Sequence, residues 1–344
     1  MQYNLLGQTG LLVSEICLGT MTFGGKGFWE KIGAIDQSIV NDLIKTAFDK
    51  GVNFIDTANV YSFGLSETMT GEALKKLGLP RDEMVIATKS TGIMDENNLN
   101  SRGQSRYHIM NAVDQSLQRL QLDHIDLYQI HGFDPLVPME ETLSTLNDLV
   151  RSGKIRYIGL CNLPAWLIAD ALAISERQGW SKFVSVQSYY TIAGRDLERE
   201  VIPLIQNKKL GLMVWSPLAG GLLSGKYDRS GQGPEGSRRN NFDFPVVDKE
   251  RAFNCIDVMR GIAEGYNVSV AQIAQAWLLH QSSVTSIIVG AKRVDQLVDN
   301  IASTQIKLTE AELVKLNEVS QLPPEYPGWM IERQASYRNQ MAKE

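Results

Sequence analysis

Four side chains, Asp56, Tyr61, Lys89 and His131, have the types and spacing to place a proton on an oxygen. Reducing a carbonyl needs a proton for the developing alkoxide while hydride arrives at carbon. A tyrosine with its ordinary pKa of about 10 is a weak acid near neutrality. A neighbouring ammonium is expected to lower that pKa by roughly 1–3 units. Lys89 can supply the ammonium, and Asp56 can hold Lys89 charged and oriented. His131 can donate a hydrogen bond to the carbonyl oxygen or relay a proton to Tyr61. Taken singly, each residue has a plainer reading. Asp56 could open an Asx turn, and Lys89 could be a solvated strand end. His131 could be a hydrogen-bonded core histidine, and Tyr61 an amphipathic rim residue. Only their convergence favours chemistry.

The elements between them supply that convergence. Short apolar runs at 14–19, 52–56, 84–88, 125–130, 155–160, 183–187, 211–215 and 286–290 read as strands. Their continuous apolarity suits a parallel sheet covered on one face by helices and packed on the inside. Helical faces fall between them: Ile39, Val40, Leu43, Ile44, Ala47 and Phe48 after Ser38, then Ile109, Val113, Leu117 and Leu120, then Leu143, Leu146 and Val150. Most strand starts lie about 28 to 41 residues apart, the length of one βα unit. The expectation is an α/β fold, one (β/α)8 TIM barrel over residues 1–344. Asp56, Lys89 and His131 then end adjacent strands on the rim where such barrels keep their reactive groups, with Tyr61 just beyond Asp56. Residues 1–13 read as a hairpin ahead of the first barrel strand. A long segment follows strand seven, with a Gly-, Ser- and Arg-rich loop at 219–241 and helices at 249–264 and 270–281. A loop that long is expected to be a lid, docked through Phe242, Phe244 and Pro245. The tail from Leu322 is expected to pack on the surface.

Of 344 residues, 43% are hydrophobic, and the formal charge of -5 leaves no basic stripe for nucleic acid. Cys17, Cys161 and Cys255 give neither a metal spacing nor a disulfide framework, so no metal is expected and a reducing cytoplasm fits. The start MQYNLLGQTG lacks the apolar run of a signal peptide, and no stretch reads as membrane-spanning. A glycosidase on the same fold would need two carboxylates about 5–10 Å apart across the mouth. Strand four ends in His131 and strand seven in Trp215, so no such pair is visible.

The run Phe54-Ile55-Asp56-Thr57-Ala58-Asn59-Val60-Tyr61-Ser62-Phe63-Gly64-Leu65-Ser66-Glu67 resembles the signature of aldo-keto reductases, in which this Asp and Tyr are catalytic. Ala87-Thr88-Lys89 and Gln129-Ile130-His131 are similar to that family's lysine and histidine motifs. The resemblance implies NADPH/NADP+ extended across the barrel mouth and a small carbonyl or alcohol substrate. It agrees with the missing GxGxxG unit of a Rossmann domain.

The same resemblance implies that Asn162 and Gln187 hold the nicotinamide carboxamide and that Trp215 stacks on its ring. Cys161 stands where the family usually has Ser. Ser216, Pro217, Leu218, Ala219, Gly220 and Gly221 would bring backbone N–H groups to the pyrophosphate, clamped by Lys226 and Arg238. Gly290, Ala291, Lys292 and Arg293 open a helix carrying Gln296 and Asn300, which would take the 2′-phosphate with Asp295 turned elsewhere. Thr20 and Met21 would lie near the ribose. Substrate choice is expected to rest on Phe23, Trp29, Tyr190 and segment 90–104. Folds of this family also serve as cofactor-binding regulatory subunits of channels, which is the alternative reading; oligomeric state is left open.

Overall fold

The hydrophobic runs become strands buried on both faces, as a helix-wrapped parallel sheet requires. The computed structural model describes residues 1–341. A hairpin of β1 (Tyr3–Leu5) and β2 (Leu12–Ser14) precedes β3 (Ile16–Gly19), β4 (Phe54–Asp56), β5 (Val85–Ser90), β6 (Ile125–Ile130), β7 (Ile155–Cys161), β8 (Phe183–Tyr189), β9 (Gly211–Trp215) and β10 (Val284–Val289). From β3 to β10 the strands pair in parallel and close on themselves, a (β/α)8 barrel. The expected fold is borne out.

Helices α1 (Gln37–Asp49), α2 (Leu65–Leu77), α3 (Arg106–Leu120), α4 (Met139–Arg151), α5 (Ala165–Gln178) and α6 (Val201–Lys208) follow β3 through β8 in turn. The Asp36 carboxylate caps α1 by accepting from Ile39 N–H at 3.0 Å. After β9 come α7 (Arg238–Asn241), α8 (Lys249–Tyr266) and α9 (Val270–Leu279); α10 (Val294–Ala302), α11 (Glu310–Val319) and α12 (Gly328–Met341) close the order. The tail expected merely to pack on the surface thus contains a helix, with Trp329, Ile331 and Tyr337 exposed.

The hairpin plugs the lower end of the barrel. Leu6 and Val13 pack with Cys17, Phe54, Leu127, Met213 and Ile288 in the interior. Gly7 turns there with φ 62, and a Cβ on it would strike the Val184 carbonyl oxygen at 2.3 Å. With that end filled, the opposite rim is the open one. The register aligns Lys89 with Gln129, Gln129 with Gly159, and Cys161 with Gln187.

Candidate active site

Asp56 ends β4 and Lys89 lies near the end of β5, so both point into the barrel at one level. Lys89 is 0% exposed and its ammonium donates to Asp56 Oδ2 at 2.7 Å and to the Thr57 carbonyl at 2.7 Å. The Tyr61 hydroxyl is 3.3 Å from Lys89 Nζ. Asp56 Oδ1 accepts from Gln129 Nε2 and from Gln187 Nε2, each at 3.0 Å. The buried carboxylate is therefore paired on one oxygen and doubly hydrogen-bonded on the other, as a buried charge requires.

Burial alone would lower the Lys89 pKa, but Asp56, Tyr61 and Cys161 together, with the hydrogen bond to Asp56, hold the ammonium above its usual value. For Tyr61 the balance falls the other way from the sequence expectation. Burial raises the phenol's pKa above 10, and the pull of Lys89 only partly offsets it. The His131 ring lies edge-on to Tyr61, 5.8 Å between centres. Burial and then the Lys89 charge push the imidazole down to about 3, so it is neutral above that pH. A neutral imidazole donates from one nitrogen only. The structure thus brings together all four residues expected to act.

Tyr61 is fixed by an unusual turn. Ser62 and Phe63 take left-handed φ values of 50 and 54, conformations that cost about 1–3 kcal/mol each. The Ser62 hydroxyl holds the turn, donating to the Phe23 carbonyl at 3.0 Å and accepting from Gly25 N–H at 2.9 Å.

Beside this turn opens a cavity of about 760 Å³. Thr20, Met21, Asp56, Tyr61, Gln187, Trp215, Ser216, Pro217, Leu218, Gly220, Lys226, Arg238, Gly290, Lys292, Gln296 and Asn300 line it, as the sequence reading expects. Asn162 is not among the lining residues. Its side-chain oxygen accepts from the Trp215 indole N–H at 2.8 Å, so it orients that ring. The N–H groups of Ala219, Gly220 and Gly221 also depart from expectation. They donate to the Ser216 carbonyl, the Ser216 hydroxyl and the Leu218 carbonyl at 2.8, 2.9 and 2.9 Å, and are spent inside the turn.

The side chains on that wall remain available for an anion. Lys226, Arg238 and Lys292 have no carboxylate within ion-pair distance among the described residues. Burial, then the nearby cations Arg238 and Lys226, lower the Lys292 pKa; burial and then Arg293 do the same at Lys226. Arg238 Nε is buried without a hydrogen-bond partner. Mutual repulsion and an orphaned donor are what a polyanion would relieve. Arg293 differs from expectation, because Asp295 does not turn away. Arg293 Nε and Nη2 grip the two Asp295 oxygens at 3.0 and 2.8 Å.

The segment after β9 docks as expected. Arg239 is buried, donates to the carbonyls of Ala219 at 2.7 Å and Pro245 at 3.1 Å, and pairs with Asp243. Phe242 and Phe244 line the cavity, and Phe244 lies nearly parallel to Trp215 with centres 5.9 Å apart. Trp29 lines it too and meets Tyr61 edge-on at 5.3 Å. Phe23 and Tyr190 instead belong to the core, and segment 90–104 contributes no lining residue. Phe28 and Gln129 were missed. Gln129 stands two residues before His131 in β6, on the same strand face as the inward-pointing groups, and that period is the signal that marks it.

A closed barrel with a buried Asp–Lys pair behind a cavity-facing tyrosine, and a wall of free cations beside it, is the architecture of a barrel oxidoreductase. The sequence bears this out: the model of the Aldo/keto reductase family matches residues 15–321. The chain belongs to that family, which generally uses NAD(P)H and acts on small carbonyl compounds. It is 37% identical over 340 residues to the versiconal hemiacetal acetate reductase of Aspergillus parasiticus, covering 92% of this chain and 96% of that protein. It is 35% identical over 340 residues to an uncharacterized oxidoreductase of Bacillus subtilis, covering 96% and 100%. The norsolorinic acid reductase of Aspergillus flavus is 31% identical over 344 residues, covering 98% and 86%. No helix among the described residues is long and apolar enough to cross a membrane.

Proposed function

We propose that the protein reduces aldehydes or ketones with NADPH, and that Tyr61 is the proton donor. One observation carries this reading: the Tyr61 phenol faces the cavity while Lys89, anchored by Asp56, stands 3.3 Å behind its hydroxyl. Bound NADPH would supply the hydride that goes to the carbonyl carbon. Lys226, Arg238 and Lys292 would hold its phosphates, and Trp215 and Gln187 its nicotinamide. Tyr61 gives its proton to the carbonyl oxygen, and the Lys89 ammonium stabilises the phenolate left behind. His131, neutral, orients the carbonyl by a hydrogen bond. Trp29, Phe28 and Phe242 give the region near Tyr61 flat apolar walls, which favour an aromatic carbonyl. Three buried free thiols suit a reducing cytoplasm.

The test is NADPH consumption with 4-nitrobenzaldehyde by the unsubstituted protein and by Tyr61→Phe. The variant is expected to bind NADPH normally and to lose about 10²–10⁴-fold in turnover, the usual contribution of a positioned acid. Near-normal turnover by Tyr61→Phe would refute the donor. Tight NADPH binding with negligible turnover in the unsubstituted protein would favour a regulatory subunit instead.

A further inference from the structure

We propose that Gln129 is a positioning residue that locks the proton-donating group and the cofactor-facing amide of Gln187 into one unit. The inference rests on the reductase reading given above.

Gln129 is 0% exposed near the C-terminal end of β6. Its Nε2 donates to Asp56 Oδ1 at 3.0 Å, and its Oε1 accepts from Gln187 Nε2 at 3.2 Å. Gln187 Nε2 also donates to Asp56 Oδ1 at 3.0 Å. Both N–H bonds of the Gln187 amide are therefore committed, one to each acceptor. Flipping that amide would set its oxygen against a buried carboxylate and against another carbonyl. Its oxygen is thus the atom left for the cavity that Gln187 lines, where it can only accept, and an N–H-bearing group such as a carboxamide is what it recognises.

The barrel is shaped to admit this side chain. Gly159 faces Gln129 across the β6–β7 pair. A Cβ at Gly159 would meet Gln129 Cγ at 3.0 Å and Ser185 Oγ at 2.7 Å. An apolar residue at 129 would fill the same space without either hydrogen bond. The amide there holds Asp56 from the side opposite Lys89, and so sets the charge that Tyr61 feels.

The experiment compares the unsubstituted protein with Gln129→Met, similar in size but without amide groups, and with Gln129→Glu. Calorimetry gives the NADPH dissociation constant, the pH profile of 4-nitrobenzyl alcohol oxidation with NADP+ gives the midpoint for phenolate formation, and thermal unfolding reports the fold. Loss of one fixing hydrogen bond is expected to weaken NADPH binding by about three- to tenfold in Gln129→Met. Its oxidation midpoint should move to higher pH, because an Asp56 charge relieved of one donor disfavours the phenolate more strongly. Gln129→Glu should recover near pH 6, where a protonated carboxyl offers one O–H to Asp56 and one carbonyl to Gln187. A Gln129→Met protein unchanged in both affinity and midpoint overturns the proposal, whatever its thermal stability. So does a Gln129→Glu protein as weak as Gln129→Met near pH 6. If the unsubstituted protein binds NADPH yet oxidises no alcohol, the reductase reading fails while the affinity ratio still decides the role of Gln129. Absence of NADPH binding overturns both.

Discussion

The Lys89 ammonium stands 3.3 Å from the Tyr61 hydroxyl and 4.9 Å from the centre of the same ring. One cation thus contacts the phenol at its oxygen and its ring, while Asp56 holds the cation from the other side at 2.7 Å. Lys89 opposes the rise that burial imposes on Tyr61 rather than abolishing it. The phenol is a reluctant acid at rest, and its phenolate depends on the neighbouring charge.

Removing that charge has a predictable sign. In Lys89→Met the pull that lowers the Tyr61 pKa is lost, so the midpoint for alcohol oxidation, which needs the phenolate, should shift to higher pH. Reduction should fall by about 10²–10⁴-fold, as when the donor itself is removed. Asp56 would be left buried and unpaired, a change that commonly costs about 3–5 kcal/mol. The double variant Asp56→Asn, Lys89→Met removes that penalty and should fold better while remaining inactive. A lysine variant whose oxidation profile overlays that of the unsubstituted protein would show that the two groups are not coupled.

His131 gives a prediction about stability. Its imidazole is lowered from 6.5 to about 3 in the fold, so the folded state binds a proton less readily than the unfolded chain. The contribution is fully present above pH 6.5 and is lost progressively as pH falls toward 3. His131→Gln, which cannot titrate, should lose stability less steeply across that window. Urea midpoints at pH 7 and pH 4 for both proteins measure this. Equal losses in the two proteins would mean the imidazole is not held neutral.

Trp215 should report cofactor. It is one of six tryptophans, lines the cavity, and its indole is fixed by Asn162 at 2.8 Å. NADPH is expected to quench tryptophan emission, and Trp215→Phe should lose most of that quenching. Asn162→Ala should weaken it in part by freeing the ring. Undiminished quenching in Trp215→Phe would move the nicotinamide elsewhere.

The barrel was legible because apolar runs and helical faces alternate at a constant spacing, and each strand end then lands on one rim. Asp56, Tyr61, Lys89 and His131 follow from that geometry without knowledge of any contact. What sequence could not supply was the balance of opposing effects. Tyr61 has a cation beside it, and only its depth shows that burial prevails. Arg293 and Asp295 are two residues apart, and only their rotamers show that they pair. Phe23 and Tyr190 share their types with lining residues, yet both are 0–1% exposed in the core. Gln129 was hidden for a different reason: a neutral amide in an apolar strand carries no charge to draw notice, and its meaning lies in Asp56 and Gln187, partners from other strands.

Preference for NADPH over NADH should rest on Lys292 more than on Arg293. The two cofactors differ by a 2′-phosphate carrying up to about two negative charges near neutrality. Both residues line the cavity, but Arg293 already spends its guanidinium on Asp295, and that pair is more than 60% exposed on each side. Exposed pairs contribute little and exchange readily, so Arg293 is a weakened donor. Lys292 has no carboxylate partner among the described residues and is pressed by Arg238 and Lys226, so a phosphate relieves repulsion there as well as adding attraction. The side chain of Gln296 accepts from the Lys292 backbone N–H at 3.0 Å, which fixes the start of the loop into α10. A charge-assisted hydrogen bond contributes about 1.5–3 kcal/mol, so Lys292→Ala should weaken NADPH by roughly tenfold or more and leave NADH nearly unchanged. Arg293→Ala should have a smaller effect, and Asp295→Asn should strengthen NADPH by releasing Arg293. Added salt should erode NADPH affinity faster than NADH affinity. Calorimetric dissociation constants for both cofactors across these variants decide the matter, and equal values for NADPH and NADH in the unsubstituted protein would remove the basis for the preference.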